Sequence, residues 1–403
     1  MRNFIGRFAV LGALLGCMAV PASAQGDAVV QVASGVSYQF LERWDVDRLN
    51  RILQIDTPNF AGVKVSYSPA RNAVRLYRVT YNSVVPERGN KPIVATGLLA
   101  IPDTRDTNFP MISYQHGTVF GRQQVPSYYE QSPETQLMIA QFAGQGYVLI
   151  GADYFGMGTS NEPEGYLVKG SHQQACYDLL IASRSVLNQL KLSSDKLFLA
   201  GWSQGGFVTM AFLERLEDAK VNVRAAATAA GPFDSFALVS GFLYFPRSID
   251  APWLNSIIIL SAFSFENYYG APGLARSVIA DEYYAVSKKA YERQPFEPAD
   301  IPIDLKKLVR AEYFNPQYLA SSTYGRLLIA TDAYRWVFQS PVRNYYGERD
   351  EAIPAGVARM AMTYAQSMGG GSSTIEAIST GLTDHRGTFA TAVPQWKAWI
   401  DSK

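Results

Sequence analysis

Gly201-Trp202-Ser203-Gln204-Gly205-Gly206 is the stretch of this chain best suited to chemistry. Its G-x-S-x-G spacing is one in which a serine hydroxyl serves as a nucleophile toward a carbonyl carbon. The turn around such a serine is tight, and small residues two before and two after it, here Gly201 and Gly205, relieve the crowding. Pentapeptides of this form arise by chance, so the flanks decide. The run from Lys196 to Ala200, apolar from Leu197 on, reads as a strand, and Phe207 to Glu217 reads as a helix. Without such flanks the stretch would be an ordinary Gly-rich turn with a capping serine.

A serine hydroxyl is a poor nucleophile at neutral pH. It needs a base, and the base needs an orienting carboxylate. The chain has three histidines. His385, in Thr383-Asp384-His385-Arg386-Gly387 after the last strand, is favoured as base by chain order. His116 follows the third strand, and His172 reads as a surface or capping-region residue in the first turn of a helix. The acid should follow the strand before the histidine, where Asp350 stands. Glu348 and Glu351 are alternatives in the same loop; Asp384 adjoins His385 but would point elsewhere along an extended backbone. For each of these the plain alternative is a solvated loop carboxylate.

A tetrahedral intermediate carries a negative oxygen that needs preorganised N–H donors. One should be the backbone N–H of Gln204. The other should come from the loop Tyr114-Gln115-His116-Gly117-Thr118, with Thr118 as donor, Gly117 allowing close approach and His116 bracing the loop. An ordinary turn is the rival reading there. Asp153, in Asp153-Tyr154-Phe155-Gly156-Met157-Gly158, precedes the serine and is read as structural. No Cys, His and carboxylate cluster has metal-ligand spacing, and no G-x-G-x-x-G follows the first strand, so neither a metal nor another cofactor is expected.

The elements that must hold these residues follow an α/β rhythm. Strands are expected at 74–85, 93–101, 109–115, 147–152, 197–200, 223–230, 342–346 and 374–378. Helices are expected at 132–144, at 171–190 with Ser171 and Gln174 as a capping box, and near 356–368. The first long strand alternates apolar and polar residues, as an antiparallel strand does. The later alternation predicts a mostly parallel, eight-stranded sheet with helices on both faces. Residues 25–72 are harder to assign: 43–53 could be a short helix and Thr57-Pro58-Asn59 a turn. Between 236 and 325 the rhythm breaks into an aromatic and aliphatic stretch cut by Pro246, Pro252 and Pro272, which reads as an inserted cap of short helices. The core is then 73–235 and 326–403, and Gly369 to Ser373 is a flexible connector.

The 403 residues, 48% hydrophobic and 18% charged, describe a globular protein with a sizeable core. A net charge of +1 gives no electrostatic case for nucleic acid. Arg2 and Arg7, the apolar stretch from Phe8 to Val20 and Ala22-Ser23-Ala24 read as an export signal with cleavage expected after Ala24, which would make residues 1–24 a leader. A minority reading takes Leu14-Leu15-Gly16-Cys17 as a lipoprotein box that lipidates Cys17. Cleavage leaves Cys176 as the one cysteine, a packing residue with no disulfide partner in the chain. That suits a secreted or periplasmic enzyme standing on its core alone.

The elbow at Gly201 to Gly206, the Tyr-Gln-x-Gly-type loop at Tyr114 to Gly117 and the long insertion together resemble the α/β-hydrolase superfamily across roughly residues 73 to 400. Within it the chain is most similar to the secretory lipases of the yeast lipase A type. The resemblance implies an acyl-enzyme ester hydrolase with a helical cap over its acyl pocket. The chain departs from that group in lacking paired cysteines and a recognisable lid flap in 381–403. The expected partner is a small-molecule or lipid ester, the latter bringing a transient lipid interface. Two other functions fit the same residues: a serine peptidase or amidase, and a non-catalytic binding protein on a hydrolase scaffold.

Overall fold

The computed structural model describes residues 28–369 and 374–403. The expected leader, Ala24 and Cys17 lie outside the described residues, as does most of the Gly369 to Ser373 connector.

Among the described residues ten strands form one sheet: β1 (Val30–Ala33), β2 (Val36–Trp44), β3 (Ala73–Val85), β4 (Lys91–Asp103), β5 (Asn108–Gln115), β6 (Val148–Ala152), β7 (Ser193–Trp202), β8 (Ala225–Ala229), β9 (Val342–Tyr346) and β10 (Ile375–Ser379). Their order is β1-β2-β3-β4-β6-β5-β7-β8-β9-β10. From β6 to β10 neighbours run parallel, while β1 to β4 and the β4–β6 junction are antiparallel. The expected eight-stranded, mostly parallel sheet is thus a ten-stranded mixed one. The difference is the hairpin of β1 and β2, built from the segment that resisted assignment. Its period-two pattern is hidden because the register slips between Phe40 and Glu42, leaving Leu41 as an extra residue.

Helices α1 (Val46–Arg51) and α2 (Thr57–Ala61) follow the hairpin, so Thr57-Pro58-Asn59 opens a helix and is not a turn. The two helices are joined without a break by a π-helical turn (Ile52–Asp56), and that widened turn accommodates Pro58, which has no N–H to give to the preceding turn. Next come α3 (Pro133–Gln141), α4 (Lys169–Gln189) and α5 (Gln204–Asp218). The expected capping box on α4 does not form. The helix starts at Lys169, the Ser171 hydroxyl donates to Glu87, and Gln174 donates to Asp178. Between β8 and β9 lie seven helices: α6 (Ser235–Tyr244), α7 (Asn255–Tyr268), α8 (Leu274–Val278), α9 (Asp281–Tyr291), α10 (Leu305–Leu308), α11 (Pro316–Ser321) and α12 (Thr323–Ala330). Helices α13 (Ala355–Ala358) and α14 (Met360–Ser367) precede β10, and α15 (His385–Asp401) closes the chain.

One layer of the core is α4 and α5, which pack on each other and on β3, β6, β7 and β8. The other holds α3 and α15, with α2 against both. β8 reads Ala-Ala-Ala-Thr-Ala and is wholly buried. Its small side chains let helices approach from both faces, and just beyond it a Cβ on Gly206 would stand 2.7 Å from Gly231 Cα. The sheet therefore brings the carboxyl ends of β5, β7 and β9 to one edge, where the chemistry-bearing residues sit.

Candidate active site

Ser203 lies between β7 and α5 with φ 57° and ψ −125°, a conformation that L-residues rarely adopt. The turn is forced by packing. A Cβ on Gly201 would stand 2.2 Å from the Gly205 carbonyl oxygen, and one on Gly205 only 1.9 Å from that of Gln115. Both positions therefore require glycine. The Ser203 N–H donates to Ala229 O at 2.9 Å, tying the elbow to the end of β8.

Ser203 Oγ and His385 Nε2 are 2.8 Å apart. His385 Nδ1 lies 3.0 Å from both Asp350 oxygens. Nδ1–H donates to the carboxylate, which leaves Nε2 free to accept the serine proton. Asp350 is 1% exposed, and its Oδ1 also accepts the N–H groups of Ala352 at 2.9 Å and Ile353 at 2.8 Å. These donors fix the carboxylate in the turn after β9.

His385 is the first residue of α15. Asp384 caps that helix by accepting the Gly387 N–H, which turns its carboxylate away from the imidazole contacts. Glu351 accepts the backbone N–H of His385 at 2.9 Å, and Glu348 accepts the Ser379 hydroxyl. Of the four carboxylates weighed for the acid, Asp350 alone bonds the imidazole. The Trp202 indole N–H donates to His385 O at 3.2 Å, with ring centroids 5.0 Å apart. Burial pushes the His385 imidazole down. The charge and hydrogen bond of Asp350, aided by Glu351 and Asp384, outweigh it and hold the group above its ordinary value.

The 116–118 loop runs against Ser203: a Cβ on Gly117 would stand 3.4 Å from Ser203 Cβ and 3.3 Å from Trp202 O. The Gly117 N–H donates to both oxygens of Glu134, at 3.0 and 3.2 Å. Tyr114 Oη donates to the same carboxylate at 2.6 Å. His116 stacks on Tyr154 with centroids 4.1 Å apart, and Tyr154 Oη donates to His116 O at 3.1 Å. His116 Nδ1–H donates to Gly117 O, and burial pushes the ring down to about 4, so it is neutral. It braces the loop and does not reach Ser203. Thr118 Oγ1 meets Tyr166 Oη at 3.1 Å. Among the described residues the N–H groups of Thr118 and Gln204 donate to no protein acceptor.

His172 is not on the surface, as its place in the sequence suggested, but 2% exposed. Its Nε2 lies 3.4 Å from the Gln204 amide, and burial pushes the ring down to about 3. Asp153 accepts Ser127 N–H, Ser127 Oγ and Thr96 Oγ1, ties that stitch the core and do not touch the serine. Trp253, from the insertion, lies 6.2 Å from the His385 ring, and the exposed Phe120 packs edge-on to Trp253. Among the described residues no three His, Cys or carboxylate groups cluster as metal ligands would, and no helix is long and apolar enough to cross a membrane.

No protein-family model matches the sequence, and no curated protein sequence matches it significantly. Solved structures do match. A Legionella pneumophila protein provisionally called a hydrolase aligns with a TM-score of 0.80 at 20% identity, over 93% of this chain and 97% of its own. The rice cell wall degrading esterase LipA from Xanthomonas oryzae gives 0.72 at 23% identity, over 94% of this chain and 97% of that one. Candida antarctica lipase A gives 0.58 at 14% identity, over 86% and 77%. The chain has the α/β-hydrolase fold.

Within this α/β-hydrolase fold the site contains groups that the sequence reading passed over. Glu134 follows Pro133 in the first turn of α3, a place that favours a carboxylate whatever its role. It is nonetheless fully buried beneath the 116–118 loop. Burial pushes its carboxyl up to about 7, against the opposing pull of Tyr114, Gly117 and the His385 charge. Tyr166 lies in no motif, and nothing within the Asp153 to Gly158 stretch marks Tyr154 for this role.

Proposed function

We propose that the protein is a serine ester hydrolase, a carboxylesterase or lipase that works through an acyl-enzyme. The observation that carries this reading is the unbroken hydrogen-bonded path from Ser203 Oγ through His385 to Asp350, at a strained strand-to-helix turn. Ser203 Oγ attacks the ester carbonyl carbon as His385 Nε2 takes its proton. The tetrahedral adduct collapses when His385 returns that proton to the leaving alcohol oxygen. A water, deprotonated by the same Nε2, then splits the acyl-serine ester and releases the acid. Asp350 holds the ring in the tautomer with Nδ1–H and stabilises its positive charge. The N–H groups of Gln204 and Thr118, without protein acceptors, bind the oxyanion.

Residues 236–325 serve as a cap over an apolar acyl or aryl site. The aromatic rim of Trp253 and Phe120 near His385 supports this assignment. The N-terminal pattern supports export, with cleavage after Ala24.

The test is hydrolysis of p-nitrophenyl esters from acetyl to palmitoyl by the mature protein, with Ser203→Ala alongside. A peak at short chains that vanishes in the variant marks a carboxylesterase, and a peak at long chains marks a lipase. Turnover of matched amides in preference to esters would replace the reading with an amidase. Folded protein that turns over neither and resists a fluorophosphonate probe would leave a binding protein.

A further inference from the structure

Arg293 follows α9 with φ 56°, the left-handed conformation in which helices usually end on glycine. An arginine gains nothing there from turn geometry, and strain of this kind is kept when surrounding contacts enforce it. The backbone closes the helix by Arg293 N–H to Ala290 O and Gln294 N–H to Lys289 O. The side chain is 12% exposed, and its Nη2 donates to Glu164 Oε2 at 2.8 Å. The same nitrogen reaches Val119 O at 3.4 Å, and Nη1 reaches Tyr291 O at 3.3 Å. Glu164 is itself buried, with 6% of its side chain exposed.

A second route from the insertion arrives beside the first. Ser264 Oγ, on α7, donates to Glu164 O at 2.8 Å and accepts the Tyr166 N–H at 2.9 Å. Tyr291 Oη, on α9, donates to Glu164 O at 2.7 Å. Tyr166 Oη then meets Thr118 Oγ1. The loop is therefore gripped from two sides. The core holds its first half, through Glu134 on Gly117 N–H and Tyr154 on His116 O. The insertion holds its second half directly, through Arg293 on the Val119 carbonyl, and indirectly, through Ser264, which anchors the core residue Tyr166 whose hydroxyl meets the Thr118 side chain. The peptide N–H of Thr118 lies between these two grips.

We infer that Arg293 and Tyr166 are positioning residues through which the helical insertion sets the oxyanion-binding geometry of Thr118. The inference rests on the serine hydrolase reading above. The insertion then does more than cover an acyl site: it completes the catalytic loop, so its seating governs turnover even for an acyl group too short to touch it.

The experiment measures kcat and KM on p-nitrophenyl acetate, and affinity for a short alkyl boronic acid, which forms a tetrahedral adduct on a serine oxygen. Arg293→Met, Tyr166→Phe and the double variant Glu164→Gln/Arg293→Met are compared with the parent. The double variant removes the charge that Arg293→Met would leave buried and unpaired, so it still reads the loop if the single variant fails to fold. For the arginine variants the expected result is a fall in kcat of about 10- to 100-fold with KM nearly constant, the scale of a mispositioned catalytic group. Boronate affinity should fall in parallel, with a smaller loss in both for Tyr166→Phe. Folded variants with kcat and boronate affinity within about twofold of the parent, or a loss confined to KM, would overturn the inference. If Ser203→Ala retains turnover, the hydrolase reading itself fails, a result distinct from unchanged Arg293 variants beside an inactive Ser203→Ala.

Discussion

The elbow and the oxyanion loop sit on the same sheet edge, yet they are built in opposite ways. Ser203 is fixed by close main-chain packing: Gly201 and Gly205 permit the turn between β7 and α5, and the Ser203 N–H to Ala229 O and the nearby Gln115 carbonyl seat it on β8 and β5. The 116–119 loop is fixed by residues far away in sequence, namely Glu134, Tyr154, Tyr166 and Arg293. One site thus combines a serine set by close main-chain packing with a loop set by distant side chains. The first should fail all at once when altered. The second should fail by degrees, since several grips share the load.

Substitutions test this contrast in descending order. Ser203→Ala should lower ester turnover by about a millionfold, to the residue left by binding and the oxyanion donors, measured by p-nitrophenyl release. Asp350→Asn should cost about 10,000-fold in kcat, because the amide favours the wrong imidazole tautomer. It should also shift the pH profile. Activity rises as His385 loses its proton, with a midpoint held above the ordinary 6.5 by Asp350, so removing that charge moves the midpoint down. A pH–rate series on both proteins reads the shift.

On the loop side, Glu134→Gln keeps an acceptor for the Gly117 N–H and should cost about tenfold or less in kcat. Its larger signature is in stability. The Glu134 carboxyl is raised from 4.5 to about 7 in the fold, so the folded state binds this proton more tightly than the unfolded one. The resulting stabilisation is fully present below pH 4.5 and is lost as pH rises through 7. Thermal melts should therefore show Glu134→Gln gaining on the parent across that window. His172→Gln, at the end of a 3.4 Å contact to Gln204, should change kcat by no more than about fivefold. If these loop variants were as damaging as Ser203→Ala, the contrast between the two regions would collapse.

The same contrast explains what could be read from the chain. The strands from β3 onward announced themselves by alternation or short apolar runs, and Ser203, Asp350 and His385, which meet in one hydrogen-bonded path, stand out by their order after strand ends. The β1–β2 hairpin was hidden by one extra residue at Leu41, which inverts the pattern midway. His172 was misjudged because a polar residue in a first helical turn looks solvated, while Tyr154 and Phe207 in fact enclose it. Glu134, Tyr166 and Arg293 gain their roles by meeting a loop from other parts of the fold. No spacing within one segment encodes such a meeting.

The hairpin has a bearing on handling the protein. β2 pairs with β3 from Val36 opposite Tyr81 to Trp44 opposite Val74, and β1 ends the sheet in four residues. A chain trimmed to begin at Ala73 would bare most of the long flank of β3 as unpaired N–H and C=O groups. Such a flank is a template for a second molecule, so the shortened chain should stack strand to strand and precipitate, even though Ser203, His385 and Asp350 are all present.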